Sequence, residues 1–111
     1  MQHRDLIIIT KIASETDIAL KMLENVTFSE FNRNEILKRA VCMTVINIGE
    51  LVKSLSSEFR LKHGAVPWKA IAGFRDIAAH KYQTLHMEDV YYTVVNDFPP
   101  LNDYVKNIKS E

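Results

Sequence analysis

The run Arg75-Asp76-Ile77-Ala78-Ala79-His80-Lys81-Tyr82 gathers a fixed cation, a group that titrates near neutral pH and a phenol within eight residues. Arginine presents a planar fork of donors that fits phosphate or carboxylate oxygens, and histidine gives or takes a proton near neutral pH without a metal. Together they suit chemistry at a phosphodiester. Taken singly, each residue has a plainer use: Arg75 in a salt bridge, His80 against the dipole at a helix end, Tyr82 as a packing aromatic with its hydroxyl in water. It is the clustering that points to chemistry.

Such a cluster needs a scaffold, and the apolar spacing predicts helices. From about Asp5 to Leu23, the residues Leu6, Ile9, Ala13, Leu20 and Leu23 recur at helical intervals, which predicts a first amphipathic helix. Asn25-Val26-Thr27 breaks that period, and Asn32 followed three residues later by Glu35 predicts the cap of a second helix. Leu37, Val41, Thr44, Ile48, Leu51 and Leu55 then continue in alternating steps of four and three, a stripe of about five turns that His63-Gly64 is expected to end. Pro67 suits a helix start, so a third helix opens at Trp68, buries Ile71, Phe74, Ile77 and Ala78, and ends near His80 to Gln83. A fourth covers Met87 to Asp97. Pro99 and Pro100 remove two successive backbone donors and predict a bend or break before a short Leu101 to Ile108 segment. No window alternates with period two, so the expected fold is all-α, an antiparallel bundle of four to five helices in a single domain over residues 1–111.

Composition agrees with packed helices: 47% of the 111 residues are apolar, 25% are charged, and glycine and proline contribute three each. Fourteen basic and fourteen acidic side chains cancel, so any contact with RNA must be made by a local patch. Cys42 is the only cysteine, which excludes an intrachain disulfide, fits the reducing cytoplasm and suggests a small buried residue before it suggests a nucleophile. The apolar run Leu6 to Ile9 is followed at once by Lys11, Glu15 and Asp17, and resembles neither a signal peptide nor a membrane span. His3, His63 and His86 lack cysteine or carboxylate partners at metal-ligand spacing and are read as surface histidines, so no metal or other cofactor is expected. Trp68, Phe74, Tyr91 and Tyr92 are read as core or dimer packing in preference to a platform for bases.

Arg75, four residues, His80, one residue and Tyr82 resembles the motif of HEPN proteins, specifically the HepT toxin-like branch. The likeness extends to Asn47-Ile48-Gly49-Glu50, to Pro67-Trp68 with Ile71, and to Asp97-Phe98-Pro99 with Leu101, and so covers essentially the whole chain. What the resemblance implies is a metal-independent endoribonuclease acting as a homodimer or higher even oligomer, with the motifs of two subunits facing a shared cleft. Arg75 would hold the scissile phosphate, and His80 would be the general acid/base. Tyr82 would be the residue to which a minimal nucleotidyltransferase antitoxin attaches AMP, placing bulk and negative charge beside the cleft.

Asp76 departs from the asparagine that many of these nucleases carry, and is expected to orient His80 or Arg75. Glu50 adjoins the apolar seam, where a carboxylate calls for a partner such as Arg75, and Lys53 one turn on is either a solvated lysine on the helix surface, the commoner case, or a contact for RNA. On one straight helix Arg75 and Tyr82 fall nearly in line, while His80 lies about 140° from Arg75. Either the helix loosens near His80 or a second subunit completes the site. Balanced charge and Asp76 also leave an alternative, a non-catalytic HEPN module that docks a nucleotidyltransferase. A weaker third reading is a sensor that binds a free nucleotide in the same cleft.

Overall fold

The apolar stripes fold as helices, and a computed structural model gives their order. Residues 1–80 and 82–109 are described, without the side chains of residues 75–80 and 109. Helix α1 spans His3–Met22, α2 Phe28–Asn32, α3 Glu35–Lys53, α4 Ser57–Lys62 and α5 Trp68–His80. A 3₁₀ turn at Tyr82–Thr84 follows, then α6 at Met87–Tyr92, a π-helical segment at Thr93–Asp97 and α7 at Phe98–Lys109. The fold is an all-α bundle, with no strand among the described residues. None of the described helices is long and apolar enough to cross a membrane.

The stripe on α3 buries Val41, Thr44, Val45, Ile48 and Val52, and it meets α1 on one side and α5 on the other. From α1 come Ile8, Ile9, Ile12, Ala13 and Ala19, and α7 closes the far side of α1 with Leu101, Val105 and Ile108. Cys42 is buried in this core, as its place beside the stripe suggested.

Four local expectations are corrected. The cap of α3 is Asn34, whose side chain accepts from the Leu37 N–H at 3.0 Å, while Asn32 ends the short helix α2. That helix has its own reciprocal cap: Thr27 accepts from the Glu30 N–H and Glu30 accepts from the Thr27 N–H, each at 3.1 Å. The long helix stops at Lys53 and does not run on to His63, because Ser56 caps a separate helix, α4. Asp5 holds that joint from α1, fully buried and accepting from the Ser56 N–H at 2.9 Å and the Ser56 hydroxyl at 2.7 Å.

Pro99 and Pro100 do not break the chain, since they fall in the first turn of α7, where proline is tolerated. The π segment before them widens the helix, with the Phe98 N–H reaching back five residues to the Thr93 carbonyl. His63 is no surface histidine either. Its Nδ1 lies 2.9 Å from the Tyr104 hydroxyl, its ring packs 4.5 Å from Phe59, and its carbonyl accepts from the Trp68 indole at 3.0 Å.

A buried polar knot ties α1 to α7. Asn102 Nδ2 donates to Thr16 Oγ1 at 2.8 Å, to the Ala13 carbonyl at 3.2 Å and to Asp17 Oδ1 at 3.0 Å. Truncating Asn102 leaves buried acceptors unmet, so Asn102→Ala is expected to lower stability by about 1–3 kcal/mol in urea denaturation. A neutral result would show that this knot is dispensable.

Candidate functional site

Helix α5 begins with the Ile71 N–H bonded to the Pro67 carbonyl at 3.1 Å and with Trp68 buried, its ring 5.9 Å from Phe59. Trp68 thus packs in the core as expected. Tyr91 is partly buried against that core, its ring 5.7 Å from those of Phe28 and Phe31 and its hydroxyl donating to the Val26 carbonyl at 2.6 Å. Tyr92 lies half exposed over Phe28, with ring centroids 6.3 Å apart.

From that anchored start α5 stays α-helical through His80, which places Arg75, Asp76 and His80 in its last two turns. Their side chains lie outside the described residues, as does all of Lys81. Helical register sets positions 75 and 80 about 7.5 Å apart along the axis and about 140° apart around it. The helix therefore does not loosen ahead of His80 to bring the two together.

Tyr82 is off that helix, in the 3₁₀ turn that follows. Its hydroxyl donates to Glu35 Oε1 at 3.3 Å, and the Arg39 guanidinium carbon stands 5.0 Å from the centre of its ring. Glu35 is held from two further sides, by Lys38 Nζ at 3.2 Å and Arg39 Nε at 2.9 Å. Since α5 runs into Tyr82 and Tyr82 meets the first turn of α3, the two packed helices are antiparallel.

The cluster shapes its own protonation. The Lys38 hydrogen bond, helped by Arg39 and Tyr82, keeps the Glu35 carboxyl below its usual value, so it is ionised at neutral pH. Burial, followed by the negative charge of Glu35, raises the Tyr82 phenol above its usual value. Burial pushes the Cys42 thiol up to about 11, which keeps it neutral and unsuited to attack.

Glu50 and Lys53 lie elsewhere. Both are exposed in the last turns of α3, about 22 and 27 Å along the helix axis from Glu35. Glu50 lines a shallow groove of about 430 Å³ with Lys11, Glu15, Asn47 and Ser54, toward α1. Exposure removes the penalty expected for a carboxylate on the seam. Neither residue is brought to the Tyr82 hydroxyl within one chain.

Sequence reasoning missed Glu35 as a site residue, and Lys38 and Arg39 altogether. Their i,i+3 and i,i+4 spacing looks like any solvated helix face, and the partner that gives them meaning, Tyr82, is 47 residues from Glu35. Among the described residues, no three or more His, Cys, Asp or Glu side chains gather where a metal could be held.

Residues 12–108 match the family described as Ribonuclease HepT-like. The chain is 36% identical over 97 residues to "Putative RNase TTE0752" of Caldanaerobacter subterraneus subsp. tengcongensis, covering 87% of each protein. It is 33% identical over 91 residues to "Putative RNase MJ0127" of Methanocaldococcus jannaschii, covering 78% of this chain and 75% of the relative. With "Probable ribonuclease HepT" of Thermococcus cleftensis it shares 24% identity over 107 residues, 96% of both. No solved structure matches significantly.

The Tyr82 to Glu35 bond should have a defined pH window. It stabilises the fold fully above the ordinary carboxylate value and is lost as pH falls through the lowered Glu35 value. On the alkaline side it is present below the ordinary phenol value and is lost as pH rises through the raised Tyr82 value. Absorbance titration of the phenols should show one tyrosine titrating high that disappears in Tyr82→Phe and moves down in Glu35→Gln. An unchanged curve in Glu35→Gln would mean that the carboxylate does not act on this phenol.

Proposed function

Because the chain belongs to the Ribonuclease HepT-like family, we propose that it is a metal-independent endoribonuclease toxin, active as a homodimer or higher even oligomer in the cytoplasm and silenced by AMP attachment to Tyr82. The observation that carries this is the family match over residues 12–108, which contains Arg75, His80 and Tyr82 at the spacing of the motif. Arg75 holds the scissile phosphate and offsets the charge that builds on its oxygens. His80 takes the proton of the ribose 2′-hydroxyl as that oxygen attacks phosphorus, and a second histidine, from the partner subunit, protonates the departing 5′-oxygen. The bond broken is P–O5′. The new strand end is a 2′,3′-cyclic phosphate.

Two subunits suit the separation of Arg75 and His80 around α5, because a shared cleft draws on two helices. Ile36 and Met43, seven residues apart on α3, are 83% and 58% exposed and give an apolar stripe fit for such an interface. Asp76 orients the motif side chains, with Glu50 as a supporting carboxylate, and Lys53 contacts RNA from the other end of α3. The partner that modifies Tyr82 is a minimal nucleotidyltransferase acting as antitoxin. An AMP group next to His80 puts a phosphodiester charge where RNA phosphate must sit.

Net charge of zero and Asp76 favour one other reading, a HEPN module that docks a nucleotidyltransferase and cuts nothing. Purified, unmodified protein incubated with defined RNAs in EDTA separates the two. Cleavage with cyclic phosphate ends, reduced about 10²-fold or more in His80→Ala and Arg75→Ala, is the expected outcome. If neither wild type nor variants cut any RNA, the docking module takes its place.

A further inference from the structure

Tyr82 is not a bare phenol on a surface. Its hydroxyl hydrogen points at a carboxylate, that carboxylate is fixed by Lys38 and Arg39, and the guanidinium of Arg39 lies over the ring. Three of the residues come from the first two turns of α3, so their geometry is set by a helix that the core holds rigidly. The Glu35 and Arg39 side chains are 54% and 61% exposed, which leaves the cluster open to a partner enzyme.

We propose that Glu35 is the base for modification of Tyr82. This rests on the reading of Tyr82 as the AMP acceptor. As Tyr82 Oη attacks the α-phosphorus of a nucleoside triphosphate, its proton passes to Glu35 Oε1. The Oη–P bond forms, the bond from that phosphorus to the pyrophosphate oxygen breaks, and pyrophosphate leaves with its electron pair. Glu35 then returns the proton to water. The target tyrosine thus brings its own base to the nucleotidyltransferase.

A base is needed here because the phenol keeps its proton at neutral pH, more firmly than an ordinary tyrosine. A weakly basic carboxylate suffices, since the phenol becomes strongly acidic as its oxygen bonds to phosphorus. The same geometry accounts for choice among tyrosines. Tyr91 donates its hydroxyl hydrogen bond to the part-buried Val26 carbonyl, and the Tyr104 hydroxyl pairs with His63. Tyr82 alone among the described tyrosines meets a carboxylate.

The test uses the full chain, a purified minimal nucleotidyltransferase and ATP labelled at the α-phosphate, with kcat and KM for the protein substrate measured separately. The expected result is label on the wild type and none on Tyr82→Phe, with kcat down about 10²-fold in Glu35→Gln and KM within about twofold. Glu35→Asp, which keeps a carboxylate, should regain at least about tenfold of that loss. Glu35→Gln keeps an acceptor at an exposed site, so its helix content by circular dichroism should equal that of the wild type. Wild-type kcat in Glu35→Gln, or a rise in KM alone, overturns the role of Glu35 while Tyr82 stands as the acceptor. Absence of label from the wild type, or label persisting in Tyr82→Phe, removes the acceptor and this inference with it.

Discussion

Burial of α3 between α1 and α5 is the constraint on which the other features of the molecule depend. Its stripe of Val41, Val45, Ile48 and Val52 is fully or nearly fully covered, and each such side chain contributes about 1.5–3 kcal/mol when removed from water. The pairs that Glu35 makes with Lys38 and Arg39 stand in solvent, where screening leaves them a far smaller contribution. The comparison decides the causal order: the apolar seam fixes where the first turn of α3 stands, and the ion pairs merely orient what it presents. Tyr82 finds Glu35 because α5 must lie antiparallel along that seam.

Polar groups inside the bundle fix details that apolar packing leaves open. Asp5 reaches from α1 to the joint between α3 and α4, and Asn102 reaches from α7 to Thr16 and the Ala13 carbonyl. Each would be costly without its partner, so each specifies one arrangement of neighbouring helices. The π segment has a related role. It carries the helix from α6 through Pro99 and Pro100 into α7, which then packs on α1 as a continuation of the same rod. Asn25 at φ 58° closes the other end of α1, a left-handed conformation that asparagine tolerates better than most residues.

These features distribute the candidate chemistry over two ends of one helix pair. The end of α5 and the start of α3 carry the motif positions and the Glu35, Lys38 and Arg39 cluster, while Glu50 and Lys53 lie far along α3. In a protein with no net charge, attraction for a polyanion must come from such local groups.

The sequence by itself determined the all-α class, the helical periods behind α1, α3 and α5, although Leu6 of the first stripe is exposed and the side chains of Ile77 and Ala78 lie outside the described residues, the start of α5 at Trp68, the burial of Cys42 and the family to which the chain belongs. Those are properties of neighbouring residues: helical period, caps and a motif within one short segment can be read without knowing what packs on them. Only the tertiary structure decided the stop of α3 at Lys53, the structural part of His63, the passage through Pro99 and Pro100, and the company of Tyr82. Asp5 and Ser56 are 51 residues apart, and Tyr82 and Glu35 are 47 apart. Contacts over such separations arise when buried faces choose their partners, and the local pattern of a solvated Glu35 or Arg39 is the same whether or not a tyrosine arrives beside it.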